Sequence, residues 1–310
     1  MLGVLSGFFI VWSLIAIGFV AGRTGVLGDP APARTLLNRV TFFLCGPALV
    51  LTALLGSDLS RVLSTPFLVA AAAGLITGAL LVVVLRLLTA RRGSELVMTA
   101  VSGSVVNGAN MGFPIAAYVL GDVAYALPVI LFQQAIYTPL YQFALERSTS
   151  RNRISPKEVI RSLVAAPTII ASLIGIALVL LHVQVPDLLL QPLDSLGQAA
   201  IPLMLLAYGL SLIGSTPFAG DDGYRGLIIL ASVMKLVVMP LIALGLGLLL
   251  GLQGHALFAV VVMAALPTAQ NVYVAASRYR AAEPLARDTV LVTTIGTIVV
   301  LSAVALLLGA

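Results

Sequence analysis

Hydrophobic residues fall into ten long blocks along the chain, separated by charged residues or by prolines and glycines. Each block approaches the roughly 20 apolar residues that a helix needs to cross the hydrocarbon core of a bilayer. We therefore predict ten transmembrane helices, called spans 1 to 10, at residues 4–22, 36–56, 66–88, 96–120, 124–145, 162–181, 193–213, 226–250, 256–277 and 289–308. Little chain is left for a soluble domain.

Composition also indicates a lipid environment. Hydrophobic residues make up 60% of the chain and charged residues only 9%, whereas about 25% of the residues of a typical soluble domain are charged. Cys45 is the single cysteine, which excludes an intrachain disulfide and a cysteine-based zinc cluster. No lysine or arginine precedes Arg23, so the first block lacks the basic region of a cleaved signal peptide and is interpreted as span 1.

The positive charges predict how the spans are oriented. Of the 17 lysines and arginines, all but Arg61 and Lys235 lie in or beside the loops that follow odd-numbered spans. Basic residues favour the cytoplasmic side, so we expect a multi-pass protein of the cell membrane, plasma or inner, with both termini extracytoplasmic. The net charge of +5 follows from this topology, and no nucleic-acid partner is needed to explain it.

The longest polar connection, residues 146–161, divides the spans into two sets of five. We predict a first five-helix repeat at residues 1–147, a cytoplasmic linker at 148–158 and a second repeat at 159–310. Because five is an odd number, the second repeat must insert upside down, as in many secondary transporters. Prolines recur at matching places, in spans 2 and 7 and again in spans 4 and 9.

Span 4 contains the most polar and glycine-rich stretch of any span, with Asn107, Asn110 and Pro114. Pro114 cannot donate to the carbonyl of Asn110, so the helix is expected to be interrupted there. Unwound backbone at membrane depth is tolerated where protein or a water-filled cavity satisfies it, which favours a substrate or ion site. The alternative is a packing helix, in which Gly108 and Gly112 form a close contact and the asparagines bridge helices.

Span 9 repeats the pattern. Pro267 leaves the carbonyl of Met263 without its helical donor, and Gln270 and Asn271 follow it. Two interrupted polar helices at corresponding places in two halves are the best indication that a sequence gives of a binding site at the bilayer midplane. We therefore predict that spans 4 and 9 form that site together.

Three further polar residues lie inside spans. Lys235 is about nine residues into span 8, where it either extends its ammonium to the interface or faces a cavity and favours an anionic substrate. Gln133 and Gln134 in span 5 are candidate ligands, with bonding between helices as the alternative. The predicted substrate- or ion-binding residues are thus Asn107, Asn110, Gln133, Gln134, Lys235, Gln270 and Asn271, with Pro114 and Pro267 at the crossover.

All twelve carboxylates lie in loops or at predicted helix ends, so a proton relay through a buried acid is not visible. Sodium can bind through amides and unwound carbonyls, and the sequence leaves coupling to Na⁺ or H⁺ undetermined. The chain has no H-E-x-x-H, G-x-S-x-G or Walker A motif. We therefore expect no catalytic residue, metal or cofactor, no ATP-driven transport, and no enzyme.

The string N-G-A-N-M-G-F-P at residues 107–114, with Y-V-L-G-D at 118–122, resembles the first crossover motif of the auxin efflux carrier family. Residues 266–279 are similar to the second crossover motif, and Lys235 with Pro240 to a basic residue five positions before a proline. The chain lacks the long central loop of the plant members and their acidic residue in span 3.

This resemblance implies an all-α integral membrane fold of ten helices, a 5 + 5 inverted repeat in which broken spans 4 and 9 cross, as in bile-acid symporters. Spans 1, 2, 6 and 7 would form a scaffold, spans 3–5 and 8–10 a transport domain, and Asn107 would contact the substrate.

The sequence therefore predicts a secondary-active carrier for a small organic anion, such as a mono- or dicarboxylate, that works by alternating access. Its expected partners are that anion and the lipid bilayer, and a homodimer is left open. The alternatives are a sodium-coupled bile-acid-type symporter and a ligand sensor or channel on the same scaffold.

Overall fold

The computed structural model describes residues 2–58, 64–89, 91–149, 167–214, 218 and 223–309, with no account of the side chains of residues 2–5. Within these ranges the α-helices are α1 Leu2–Thr24, α2 Pro30–Val40, α3 Gly46–Leu55, α4 Thr65–Leu88, α5 Gly93–Ser102, α6 Phe113–Tyr118, α7 Leu127–Phe132, α8 Thr138–Thr149, α9 Pro167–Leu180, α10 Asp187–Ser211, α11 Arg225–Val233, α12 Met239–Leu249, α13 Gly254–Ala264, α14 Gln270–Tyr279 and α15 Glu283–Leu308. A 3₁₀ turn covers Val123–Ala126. No strand occurs in the described residues, which confirms the all-α class.

In the part of the chain that the structure describes, seven continuous helical segments are long and apolar enough to cross a membrane: Ser6–Thr24, Pro30–Leu55, Thr65–Leu88, Val123–Thr149, Asp187–Ser211, Arg225–Leu249 and Glu283–Leu308. They correspond to spans 1, 2, 3, 5, 7, 8 and 10. Span 6 is described only from Pro167 onward, as the shorter apolar helix α9. Spans 4 and 9 are each split in two. The total of ten spans stays a prediction.

Three helices begin more than one helical turn before the positions that hydropathy predicts. α2 starts at Pro30, α10 at Asp187 and α15 at Glu283. Proline is favoured in the first turn of a helix, and acidic residues are stabilised there by the helix dipole. Hydropathy counts such residues as loop. Arg34 and Arg39 consequently lie inside α2 and not in the loop after span 1, whereas Arg61 and the cations of residues 151–161 fall outside the described residues.

Among the described helices, four π-helical turns interrupt the regular hydrogen bonding, at Thr41–Cys45, Gly108–Gly112, Gln133–Tyr137 and Met234–Val238. Each ends two residues before a proline, namely Pro47, Pro114, Pro139 or Pro240. A proline lacks the amide hydrogen and its ring crowds the carbonyl four residues earlier. The wider π turn bonds five residues back, as from the amide of Met239 to the carbonyl of Met234, and so lets the helix continue past the proline.

The chain forms two compact units. Unit 1 comprises Met1–Ser64, Ala109–Leu131 and Ser162–Ser215, and unit 2 comprises Thr65–Gly108, Phe132–Arg161 and Thr216–Ala310. Spans 1, 2, 6 and 7 fall in unit 1, and spans 3, 8, 9 and 10 in unit 2. The expected grouping placed spans 4 and 5 entirely with the second set. Both are divided, because residues 109–131 pack within unit 1.

In unit 1, α1 and α10 pack through glycines. A Cβ atom at Gly18 would overlap the backbone of Leu206, and one at Gly209 would overlap the backbone of Ile15. At Gly197 a Cβ would lie 3.1 Å from the Cα of Leu49 in α3. Small residues let helix backbones approach closely in membrane proteins. Gly18, Gly197 and Gly209 therefore allow the close approach of α1, α3 and α10.

In unit 2, a polar cluster joins the start of α5 to the start of α11. Arg91 donates to both carboxylate oxygens of Glu95 at 2.8 and 2.9 Å, and the hydroxyl of Tyr224 donates to Glu95 at 2.8 Å. The guanidinium of Arg91 also lies 5.3 Å from the centre of the Tyr224 ring. The hydrogen bonds from Arg91, followed by that from Tyr224, lower the pKa of Glu95 from its ordinary 4.5.

This lowered pKa predicts a small acid sensitivity. A carboxyl whose pKa is lower in the folded than in the unfolded state stabilises the fold above the unfolded pKa, and the contribution is lost as pH falls through the folded pKa. Glu95→Gln should therefore lower the melting temperature at pH 7 by roughly 1–3 °C. The difference from wild type should narrow below about pH 4.5. Thermal unfolding in detergent between pH 7 and pH 3.5 measures it, and a constant difference would contradict the assignment.

Candidate functional site

Both polar helices of the sequence prediction are interrupted in unit 2. The first interruption covers residues 103–107, after α5, and the second covers residues 265–269, between α13 and α14. Pro267 lies inside the second one. Pro114 does not lie inside the first, because the π turn Gly108–Gly112 accommodates it and it enters the first turn of α6. The expected break at Pro114 is therefore wrong in position, because the helix opens at Gly103. A Cβ atom built at Gly103 would lie 3.1 Å from the carbonyl oxygen of Ala231 in α11.

The two interruptions pair with each other. The amide of Asn107 donates to the carbonyl of Pro267 at 2.8 Å, and the amide of Ala269 donates to the carbonyl of Val105 at 3.2 Å. Val106 and Thr268 thus face each other in an isolated antiparallel bridge. Backbone polar groups at membrane depth must be satisfied within the protein. A ladder one residue long does this for both interrupted helices at once.

Gln133 completes the ladder from the other side. The amide of Val106 donates to Oε1 of Gln133 at 2.6 Å, and Nε2 of Gln133 donates to the carbonyl of Val106 at 2.9 Å. The side-chain amide therefore binds Val106 as a third strand would. Only 7% of Gln133 is exposed. In this structure the predicted ligand holds the backbone of the first interruption.

Hydroxyl groups secure the second interruption. Thr268 donates through Oγ1 to the carbonyl of Ser102 at 2.6 Å, and its amide donates to Oγ1 of Thr293 at 3.0 Å. Thr297 donates to the carbonyl of Ala265 at 2.7 Å. Sequence reasoning missed Thr293 and Thr297. Their i, i+4 spacing, which places both hydroxyls on one face of α15, was the available signal.

Lys235 lies in the π turn Met234–Val238 and is completely buried. Its ammonium donates to the carbonyl of Ala264, the last residue of α13, at 2.7 Å. A positive charge is favourable at a helix C-terminus, where carbonyls carry the negative end of the helix dipole. The alternative that Lys235 extends to the membrane interface is wrong for this structure.

The side-chain amide of Asn107 contains a buried donor that forms no hydrogen bond with the described part of the chain. The residue is 2% exposed and its backbone is paired, but Nδ2 has no hydrogen-bond partner among the described residues. A buried donor left without a partner costs about 1–3 kcal/mol, so each such group in a native structure calls for an explanation. Asn107 is the only predicted ligand for which the structure shows this.

The remaining predicted ligands differ in position. Gln270 is half-buried and Asn271 is exposed, and together they form the first turn of α14 directly after the second interruption. Gln134 is half-buried beside Gln133. Asn110 is half-buried and belongs to unit 1. The structure therefore brings Asn107, Gln133 and Lys235 to the paired interruptions, with the start of α14 next to them. Among the described residues, no group of three or more His, Cys, Asp or Glu could hold a metal ion.

Known proteins are similar to this chain over almost its whole length. The family model described as "Membrane transport protein" matches residues 4–305. A protein of Rhizobium meliloti named "Putative malonate transporter" is 27% identical over 301 residues, covering 94% of this chain and 91% of that protein. An uncharacterized transporter of Methanocaldococcus jannaschii is 22% identical over 305 residues, covering 94% and 95%. One of Methanothermobacter thermautotrophicus is 24% identical over 261 residues, covering 83% and 82%.

Proposed function

Because the chain belongs to the membrane transport protein family, that of the auxin efflux carriers, we propose that it is a secondary-active carrier of a small organic anion. A mono- or dicarboxylate is the proposed substrate class, and alternating access is the proposed mechanism. The name of the Rhizobium relative makes malonate the first compound to test. The family and the names of the relatives indicate a transporter and not an enzyme.

The proposed architecture is the 5 + 5 inverted repeat, with ten spans and both termini extracytoplasmic. The interruption of both span 4 and span 9 supports it, since an inverted repeat would produce such breaks in pairs. The short ladder between residues 105–107 and 267–269 supports it as well.

The unpartnered amide of Asn107 is the observation that carries the proposed site. Nδ2 is a donor, so the group that it lacks is an acceptor such as a carboxylate oxygen. The backbone of Asn107 binds Pro267, three residues before α14 begins. Free amides and the positive end of the helix dipole meet at the N-terminus of a helix and attract anions. One carboxylate bound by Asn107 and the first turn of α14 would satisfy both.

The charges of unit 2 also favour an anion. Lys235 is buried there, and its bonded partner is a neutral carbonyl. Two carboxylates described in unit 2 are already engaged: Glu95 with Arg91, and Asp288 with Arg287 at 2.7 Å. A buried ammonium without a carboxylate partner creates a positive potential that is little screened by solvent. A cationic substrate would meet repulsion there.

The test is uptake of labelled malonate by vesicles that contain the purified protein. Asn107→Ala should lower the initial rate at least tenfold, about 1.4 kcal/mol, because it removes a donor that only the substrate satisfies. Its melting temperature without substrate should stay near that of wild type. Asn38→Ala, which changes an asparagine of α2 in unit 1, is the matched control and should transport normally.

Unchanged uptake by the Asn107 variant would remove this amide from the site. Preloading the vesicles with unlabelled malonate distinguishes a carrier from a channel, because only a carrier accelerates uptake by exchange. Stabilisation of the protein by malonate without any flux would instead support a sensor.

A further inference from the structure

Three buried hydroxyl groups of unit 2 have no hydrogen-bond partner among the described residues. They belong to Ser102 in α5, Ser232 in α11 and Thr289 in α15, which are 0%, 5% and 0% exposed. Buried polar groups in native proteins are bonded to protein or to ordered water. We propose that these three hydroxyls, called the hydroxyl cluster, bind one ordered water molecule that bridges the three helices beside the second interruption.

The hydroxyl cluster departs from the usual behaviour of hydroxyls in helices. A serine or threonine there commonly donates to a carbonyl three or four residues earlier. Two fully buried threonines of unit 2 do so: Thr77 donates to the carbonyl of Ala73 at 2.7 Å, and Thr99 donates to that of Glu95 at 2.8 Å. Each residue of the hydroxyl cluster lies far enough into its helix for the same bond. None of the three forms it, so their polar capacity is left for a partner between the helices.

The three helices place these hydroxyls at similar depth. α5, α11 and α15 pack against one another in pairs. The polar cluster of Arg91, Glu95 and Tyr224 joins the starts of α5 and α11, and Leu285 near the start of α15 packs with Leu96 in the same buried cluster. The hydroxyls come nine, seven and six residues after the first residue of their helices, which is roughly 9–14 Å along each axis.

A close contact brings Ser102 and Ser232 together. A Cβ atom built at Gly103 would lie 3.1 Å from the carbonyl oxygen of Ala231 and 3.3 Å from its Cα atom. These two residues are the immediate neighbours of Ser102 and Ser232 in the sequence. Because glycine has no side chain, α5 and α11 approach closely at the level of the hydroxyl cluster.

Hydrogen bonds connect Ser102 to Thr289 through the second interruption. Thr268 donates through Oγ1 to the carbonyl of Ser102 at 2.6 Å, and its amide donates to Oγ1 of Thr293 at 3.0 Å. Thr293 donates to the carbonyl of Thr289 at 2.7 Å. The main chains of two cluster residues thus already hold Thr268 and Thr293. A water bound to their side chains would fix the same positions from the other side.

The chemistry of the cluster favours water over an ion. A hydroxyl both donates and accepts, and a buried water does the same, typically with about three hydrogen bonds to groups that are otherwise unsatisfied. An ion would bring a net charge into a site whose ligands are neutral, at a high cost in desolvation. Lys235 follows Ser232 by three residues, but its ammonium is bonded to the carbonyl of Ala264.

Thermal unfolding of the detergent-solubilised protein tests the proposal through the sign of the effect. Ser102→Ala, Ser232→Ala and Thr289→Val should each lower the melting temperature by roughly 2–4 °C, because the water loses a bond. The triple variant should lose less than the sum of the three, since the water and all its ligands are then removed together. Ser172→Ala in unit 1 removes a buried hydroxyl that is bonded to the carbonyl of Thr168. This control should add to each single variant without coupling.

If no water binds, each single variant removes a polar group that has no partner, and the melting temperature should rise. Such a rise, or a triple variant whose loss equals the sum of the single losses, would overturn the proposal. Wild type should also melt at the same temperature in potassium chloride and in potassium gluconate. A difference that the triple variant lacks would assign the site to an anion and not to water.

A wild-type map at about 2 Å resolution decides even where the variants do not fold. It should show one density peak within about 3.2 Å of all three hydroxyl oxygens. A map without that peak, in which the hydroxyls bond to carbonyls of their own helices, would contradict the proposal. These measurements use no substrate, so their outcome is independent of the proposed carrier function.

Discussion

Replacing Gln133 with leucine is expected to lower the free energy of unfolding by about 2–6 kcal/mol and to abolish transport. The substitution leaves both the amide and the carbonyl of Val106 buried without a partner, at about 1–3 kcal/mol for each group. Val106 is 1% exposed, so water cannot replace the lost bonds. Thermal unfolding of the detergent-solubilised protein measures the loss, and malonate uptake measures the activity.

Two control variants separate this role from simple burial. Gln134→Leu changes the half-buried neighbour and should cost much less. Gln133→Glu keeps the shape of the side chain, but an ionised carboxylate would face the carbonyl of Val106 with an oxygen in place of a donor. A protonated carboxyl again offers one donor and one acceptor, so this variant should be more nearly normal at pH 5 than at pH 8. Equal stability of Gln133→Leu and wild type would show that the ladder does not need the side chain.

The sequence was most informative where proline chemistry acts locally. Pro267 cannot donate to Met263, and the structure has its second interruption at that point. Pro114 also lacks an amide hydrogen, but the helix does not open there. The π turn before it bonds five residues back and so accommodates the hydrogen bond that the proline cannot form. The same solution recurs before Pro47, Pro139 and Pro240. A lone proline therefore does not distinguish an open helix from a widened one, and the glycines near residue 103 carried the better signal.

The roles of the buried polar residues could not be read from the sequence, because their partners are distant in the chain. Gln133 binds a residue 27 positions away and Lys235 one 29 positions away. Polarity inside a span identified both as special, but a ligand and a backbone support have the same composition. Only the pairing of the two interruptions shows that Val106 has a free edge to which a glutamine can bind.

The predicted ligands have two different roles in the structure. Gln133 and Lys235 bind backbone groups that the interruptions expose, and Thr268 and Thr297 do the same from neighbouring positions. Each of these side chains uses hydrogen bonds to hold unwound backbone in place. Asn107 is held through its main chain and keeps a side-chain donor unused. The proposed site would be preorganised for an acceptor, since binding would not require its backbone to be ordered first.

α4 packs against the π turn Gln133–Tyr137. Two substitutions at this contact should partly cancel in their effects on the free energy of unfolding. A Cβ at Gly78 would overlap the hydroxyl of Tyr137, whereas the next nearest atoms, Oγ and Cβ of Ser104, lie 3.3 and 3.7 Å away. The Tyr137 hydroxyl is itself bonded to Oγ of Ser104 at 2.6 Å. Gly78 therefore leaves space for the hydroxyl that ties span 5 to the first interruption.

Gly78→Ala should lower the free energy of unfolding by about 1–3 kcal/mol, the usual cost of overpacking, even though alanine is favoured over glycine in a helix by up to about 1 kcal/mol. Tyr137→Phe alone should cost about 1 kcal/mol for its lost hydrogen bond. The double variant should be more stable than the sum of the two losses predicts, because the colliding oxygen is gone. Gly245→Ala, with no atom within 4 Å of its Cβ, is the control and should be neutral or stabilising. Strict additivity in this double-mutant cycle would mean that the hydroxyl does not occupy the space beside Gly78.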